Sequence, residues 1–401
     1  MSKLIKHAET NLEINRRSLL TGAAAAGVAA VAGSVPLIKA DGARAEDLKA
    51  FRSYGIPTNA PPDWTTFKAE TGMDMQWLDI GPGYMGGFIQ EIEVNKRGDF
   101  TDGFFFEGGI QMKVGGDGYF LKLDPAKMPL WERTPDLFKK GPLYQGKDGT
   151  LYGVPTIMNA DSFGYWPEAV GANPNGADEL SWALLYESDK TKGKSSVNDQ
   201  WVLTMPTAAN YLKVAKDVKI GDPSNLTPEE AKVVANFLIE RKRAGQFRVL
   251  WSSFEESIDL LGNKEVVIIN CWKPAVEELK RRKQPVQWAY ATEGYYKWGN
   301  GAYLASQVEK RGTFDAAYKA MNYFLGGAYG AVIADFRGHG TANMDLSLKY
   351  AKENNWPDEK IKKISSIQEE VTKKFEKPFW NNLAPDHATE VETEFERFKN
   401  A

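Results

Sequence analysis

Residues 245–303 read G-Q-F-R-V-L-W-S-S-F-E-E-S-I-D-L-L-G-N-K-E-V-V-I-I-N-C-W-K-P-A-V-E-E-L-K-R-R-K-Q-P-V-Q-W-A-Y-A-T-E-G-Y-Y-K-W-G-N-G-A-Y. A helix in this stretch ends at a short turn holding Glu265. Val266 to Asn270 is then a continuous apolar run of β-branched residues, the pattern of a strand buried on both faces, and it ends in Cys271-Trp272. A charged amphipathic helix follows over Pro274 to Arg282, and Pro285 to Trp288 reads as another strand. A Glu293-Gly294 turn leads on to Trp298. Strands alternating with amphipathic helices predict α/β layering.

The same alternation extends outward. Asp47 to Tyr54 and Met73 to Ile80 read as strands, Phe88 to Asn95 as a helix, and Thr101 to Phe106 and Leu151 to Ile157 as further strands. Pro228 follows Thr227, so a Thr cap and a first-turn proline start a helix that runs to about Arg243. Ala316 to Leu325 and Ile364 to Phe375 are helical, and Lys373, Lys374 and Lys377 suit the C-terminal end of the latter.

The first residues carry a different signal. Arg16-Arg17 stands before a weakly apolar run, Leu19 to Val35, and Ala43-Arg44-Ala45 has the small-x-small form of a cleavage site. These features predict a cleaved twin-arginine export leader over residues 1–45 and a periplasmic mature chain. The run is too short and too poor in strongly apolar residues for a bilayer span. With 50 Lys/Arg against 53 Asp/Glu in 401 residues, the chain has no basic footprint for nucleic acid. Cys271 is the lone cysteine, so no intrachain disulfide can form. His339 and His387 are far apart and no His/Cys cluster suggests a metal. No cofactor is expected.

One motif argues for an enzyme instead. Gly81-Pro82-Gly83-Tyr84-Met85-Gly86 matches G-x-G-x-x-G between a strand and a helix, with Asp99 and Asp102 near the distance of a ribose-binding carboxylate. An earlier strand, Asp47 to Tyr54, precedes this turn, whereas a dinucleotide loop normally follows the first strand of its domain. A cofactor-dependent periplasmic enzyme using this loop is therefore the alternative reading. Glu255-Glu256 and Glu277-Glu278 are adjacent on helices and do not face each other, which makes them poor acid/base pairs.

The order of elements over residues 245–303 resembles the spermidine/putrescine-binding proteins of polyamine ABC importers, within the wider extracellular solute-binding family. Leu151-Tyr152-Gly153-Val154-Pro155 looks like the family's Y-G-[VI]-P strand, and Ser181-Trp182 with Thr191-Lys192-Gly193-Lys194 like its S-W…Y-K-G-K segment. The resemblance spans roughly residues 48–345. It implies a two-lobed, type II-like periplasmic binding protein fold with hinge crossovers near residues 163, 300 and 345. The lobes would be 46–163 plus 300–345, and 164–299 plus 346–401.

The resemblance also implies a ligand cleft and its contacts. Trp272 and Trp298 match the family's two cleft tryptophans, and Asp199 aligns with an acid that receives an ammonium. Arg52-Ser53-Tyr54 falls at the first ligand loop and Glu107 near the second. Departures bear on the ligand: Asn300 replaces an Asp, Val202 replaces a Glu, and Arg52 stands at a Trp position. A pocket with Arg52, Glu107 and Asp199 would suit a ligand with both amine and acid, or a smaller single amine. The expected partners are this solute and an inner-membrane ABC permease, with the receptor itself monomeric.

Overall fold

The computed structural model describes residues 49–80, 84–139, 143–176, 178–376 and 382–401. The leader, and Gly81-Pro82-Gly83 of the glycine motif, lie outside the described residues.

Eleven strands follow one another along the described chain: β1 (Ala50–Gly55), β2 (Asp74–Asp79), β3 (Gly103–Glu107), β4 (Gly153–Tyr165), β5 (Glu179–Leu180), β6 (Ser195–Asn198), β7 (Phe247–Trp251), β8 (Ile268–Cys271), β9 (Gln287–Trp288), β10 (Tyr290–Ala291) and β11 (Tyr296–Leu304). Nine form one sheet in the order β2-β1-β3-β11-β4-β8-β6-β7, with β9 also on β4; β5 and β10 pair separately. At one end β1 is parallel to β2 and β3, and at the other β6 is parallel to β7 and β8. Between them β11 and β4 run antiparallel to each other and to their outer neighbours.

These two central strands make one sheet serve two lobes. β4 has 13 residues, every one buried, and so reaches roughly 43 Å at about 3.3 Å per residue. Val154, Ile157 and Met158 belong to a first hydrophobic core with Phe51, Phe104 and Tyr303. Ala160, Phe163 and Tyr165 belong to a second with Val197, Trp251 and Ile269. β11 returns across the same boundary: Tyr295 beside its start lies in the second core, while Ala302 and Leu304 lie in the first.

The last crossing departs from the expectation at residue 345. The Met344–Glu353 and Asp358–Phe375 helices stay with the first lobe, where Met344, Ala351 and Ile364 cluster with Ala331 and Ala334, and Val371 enters the first core. The end of the Asp358–Phe375 helix reaches the second core through Phe375, and the Ala388–Lys399 helix joins it through Val391, Phe395 and Phe398. A crossover carried over from a resemblance could not see this, because an amphipathic helix records the width of its apolar face and not which lobe covers it.

Local signals behave as their chemistry dictates. The Pro228–Arg243 helix starts with a full capping box: the Glu230 amide donates to Thr227 Oγ1 at 3.2 Å, and the Thr227 amide to the Glu230 carboxylate at 2.9 Å. The Trp201–Ala215 helix has no such legible start and carries Pro206 inside it. Its middle turns are buried all round, so tertiary packing overrides the breaker.

Candidate functional site

The site grows from the register of β4 and β11. Asp161 stands opposite Tyr296 and Asn159 opposite Trp298, so all four side chains share one face where the chain passes between lobes. Trp298 donates its indole N–H to the Asp161 carboxylate at 2.6 Å. Asp161 is 8% exposed. Burial pushes its carboxyl up to about 7, a rise the Glu107 charge assists and Lys374 and the Trp298 bond oppose.

Asp161 forms part of the wall of a small open pocket, about 20 Å³ in cavity volume, shared with Trp182, Trp251, Trp272, Tyr296 and Thr207. The rings are held edge and face: Trp272 meets Trp251 at 5.2 Å and 85°. Two of the indole nitrogens are already used. Trp251 donates to Asn270 Oδ1 at 2.9 Å and Trp182 to the Gly294 carbonyl at 2.9 Å. The buried Glu293 carboxylate fixes the Trp182 backbone at 3.1 Å and takes the Ser181 hydroxyl. The pocket thus offers indole faces and edges around one carboxylate.

Beside Asp161 the same strand carries Asn159, whose Oδ1 accepts from Lys374 Nζ at 3.0 Å and whose Nδ2 lies 3.3 Å from His339 Nδ1. The Trp298 ring meets His339 edge-on at 5.3 Å. Burial, with Arg337 and Lys374 nearby, takes His339 down to about 3, so it is a neutral imidazole at physiological pH. Burial also takes Lys374 down to about 8, against the pull of Glu370. Lys374 stands in the last helical turn, as expected, but its side chain is 1% exposed.

The structure brings some of the expected residues together and separates others. Trp272 lines the pocket, and Trp298 reaches it through Asp161. Each is half-buried, one against each core. Glu107 closes β3 opposite Asn300 of β11, within electrostatic reach of Asp161. Asn300 sits at the register shift between Gly299 and Gly301; it is 2% exposed and its Oδ1 has no partner. Asp199 lies outside this pocket, with its amide on the Trp251 carbonyl at 2.9 Å. Burial raises its carboxyl, Lys399 opposes this, and Glu256 and Glu396 add to it.

Arg52, Ser53 and Tyr54 require correction. Arg52 donates to both oxygens of Asp102, at 2.9 and 2.8 Å, and Asp102 also holds Arg311 at 2.8 Å. Asp102 is fully buried just before β3 begins, whereas Glu107 ends that strand; five residues of strand are roughly 16 Å. Ligands gather at the C-terminal ends of such strands, so Arg52 stands at the wrong end. Ser53 donates to Met75 Sδ at 3.0 Å, and Tyr54 stacks on Phe88 at 5.7 Å inside the first core. Asp161, in contrast, was missed. Its signal was present as the one charged residue in G-V-P-T-I-M-N-A-D-S-F-G-Y, a strand otherwise free of charge.

Known proteins agree with this architecture. The spermidine/putrescine substrate-binding protein PotD of Streptococcus pneumoniae has a similar fold at TM-score 0.65 and 17% identity, over 88% of this chain and 99% of that one. The TpPotD lipoprotein of Treponema pallidum gives 0.63 and 12% over 87% and 99%, and a GABA receptor gives 0.60 and 19% over 87% and 97%. No curated protein matches the chain by sequence. The family model for bacterial extracellular solute-binding proteins matches residues 93–357. With well over half its length matched and one sheet shared by two lobes, the chain belongs to the bacterial extracellular solute-binding protein family.

Proposed function

We propose that this protein is the substrate-binding component of an ABC importer, and that it captures a small ammonium-bearing solute against Asp161. The observation that carries the reading is a buried carboxylate in a pocket walled by tryptophans at the strands that join the lobes. A buried carboxylate calls for a cation to compensate it, and indole faces attract the same cation. Pairing of Arg52 with Asp102 removes the main reason to demand an acidic group on the ligand. Spermidine/putrescine and GABA binding by similarly folded proteins is consistent with an amine.

Binding would bias the lobes toward a closed form that a membrane permease recognises. The reading includes a monomeric receptor exported through the twin-arginine leader at residues 1–45. Trp272, Trp298, Glu107, Asn300 and Asp199 remain proposed ligand residues, with Trp272 and Trp298 the best placed.

Calorimetry with putrescine, 4-aminobutyrate and butylamine tests the class. Binding of none of them, alongside binding of a sulfonate or a nucleotide, would sink it. The pH dependence gives an independent check. A ligand cation stabilises the ionised carboxylate, so binding expels the proton that Asp161 holds below about pH 7. Affinity should rise by up to about tenfold per pH unit toward 7 and level off above it. An affinity that falls over this range would indicate an anionic ligand.

Trp272→Ala should weaken amine binding about 2- to 30-fold, the equivalent of 0.5–2 kcal/mol for one cation–π contact. Fluorescence titration reads this directly. An unchanged Kd would mean that Trp272 serves only to cover Trp251.

A further inference from the structure

The Asp358–Phe375 helix divides its contacts between the two lobes. Its early turns stay with the first: Lys360 pairs with Asp335 at 2.6 Å, Lys363 with the same carboxylate at 3.7 Å, and Ile364 and Val371 are buried there. Its last turns reach the second. Glu370 takes Lys273 at 2.5 Å, and Lys273 opens the Lys273–Arg281 helix, whose Ala275, Val276 and Leu279 lie in the second core. Lys373 meets Glu179 at 3.5 Å and lies 5.4 Å over the Tyr290 ring. Lys374 Nζ lies 4.2 Å over Trp288, and Phe375 packs against both cores.

These contacts differ in weight. Lys373 and Glu179 are both well exposed, where an ion pair contributes little. Glu370 and Lys273 are only 19% and 27% exposed, and Glu370 also holds the buried Lys374 at 2.5 Å. Burial works against the Glu370 charge, yet Lys374 and Lys273 hold its carboxyl below the usual range. One carboxylate therefore joins a first-lobe helix to a second-lobe helix. Through Lys374 it also joins Asn159, which shares β4 with Asp161.

We infer that the last two turns of this helix form a clasp, centred on Glu370, that holds the lobes together behind the Asp161 pocket and sets how long a captured solute is retained. The retention half rests on the proposed pocket; the clasp itself does not. Partial desolvation gives such a pair its effect on dissociation more than on encounter.

Small-angle X-ray scattering of the ligand-free full chain tests it, with Glu370→Gln and Lys273→Met against wild type. Both variants should show a larger radius of gyration, while Lys373→Ala, which loses the exposed pair with Glu179 and the contact over Tyr290, should not. If Glu370→Gln fails to fold, Lys273→Met decides alone, because that lysine is a partly exposed helix-start residue. Putrescine bound by wild type should leave the variants roughly tenfold faster. Unchanged compactness in Lys273→Met would overturn the clasp. Scattering needs no ligand, so a wild type that binds no amine defeats the pocket reading and leaves the clasp to be judged on compactness.

Discussion

Replacing Asp161 with Asn should cost about 2–5 kcal/mol of amine binding, roughly 30-fold to several thousand-fold in Kd. The substitution keeps the shape and an oxygen to accept the Trp298 N–H, now at 2.6 Å, so the pocket walls should stay in place. Only the charge that compensates a ligand cation is removed. Retained affinity in this variant would place the ligand elsewhere. The same substitution should show in the ligand-free protein, with the opposite sense. The Asp161 carboxyl titrates near 7 when folded, against 3.8 in the unfolded chain, so the native state holds a proton that the unfolded state has released. That contribution is fully present below about pH 4 and is lost as pH rises toward 7, by up to about 1.4 kcal/mol per unit. Denaturant unfolding of wild type and Asp161→Asn at several pH values should therefore diverge in favour of the variant as pH climbs. Parallel curves would mean that Asp161 ionises freely.

Asp102→Ala should destabilise the protein by about 3–5 kcal/mol and leave amine affinity unchanged. Asp102 is fully buried and holds two guanidiniums, Arg52 and Arg311, each at 2.8 Å. Arg311 further donates to the carbonyls of Gly98 and Thr101, at 2.9 and 2.8 Å, and so ties the loop before β3 to the chain after β11. Removing the carboxylate strands two cations in a partly buried place. Denaturant unfolding measures the loss, and calorimetry at a temperature where the variant is folded measures the affinity. A selective loss of binding would return Arg52 to the ligand site.

Much of the fold was legible locally. Val266 to Asn270 reads as a buried strand because β-branched residues without polar interruption suit a strand covered on both faces, and β8 takes up its second half, Ile268–Cys271. Thr227-Pro228 with Glu230 reads as a helix start because hydroxyl, imide and carboxylate each meet a need of the first turn. β11 was harder. Its glycines at 299 and 301 interrupt the apolar pattern, since the register shift there and the Tyr144 ring against both positions leave no room for side chains.

The site divides along the same line. Trp272 and Trp298 were named because the order of elements around them resembles the family's, Trp272 following β8 and Trp298 standing near the start of β11. Asp161, Trp251 and Lys374 were not. They come from β4, β7 and the Asp358–Phe375 helix, and nothing within any of these segments says that the others are near. Arg52 was misjudged because a charged residue on a strand looks alike whether it faces a cleft or a buried Asp102.

By itself the sequence determined the α/β class, several strand and helix starts, and the acidic balance. Those properties depend on spacing and side-chain chemistry along the chain. Only the tertiary structure decided that β4 and β11 cross together, and that Asp161 stands among indoles while Arg52 is spent on Asp102. Pairing across a sheet and burial of a charge depend on residues from 50 to more than 200 positions apart, and local pattern carries no record of which distant partner a side chain meets.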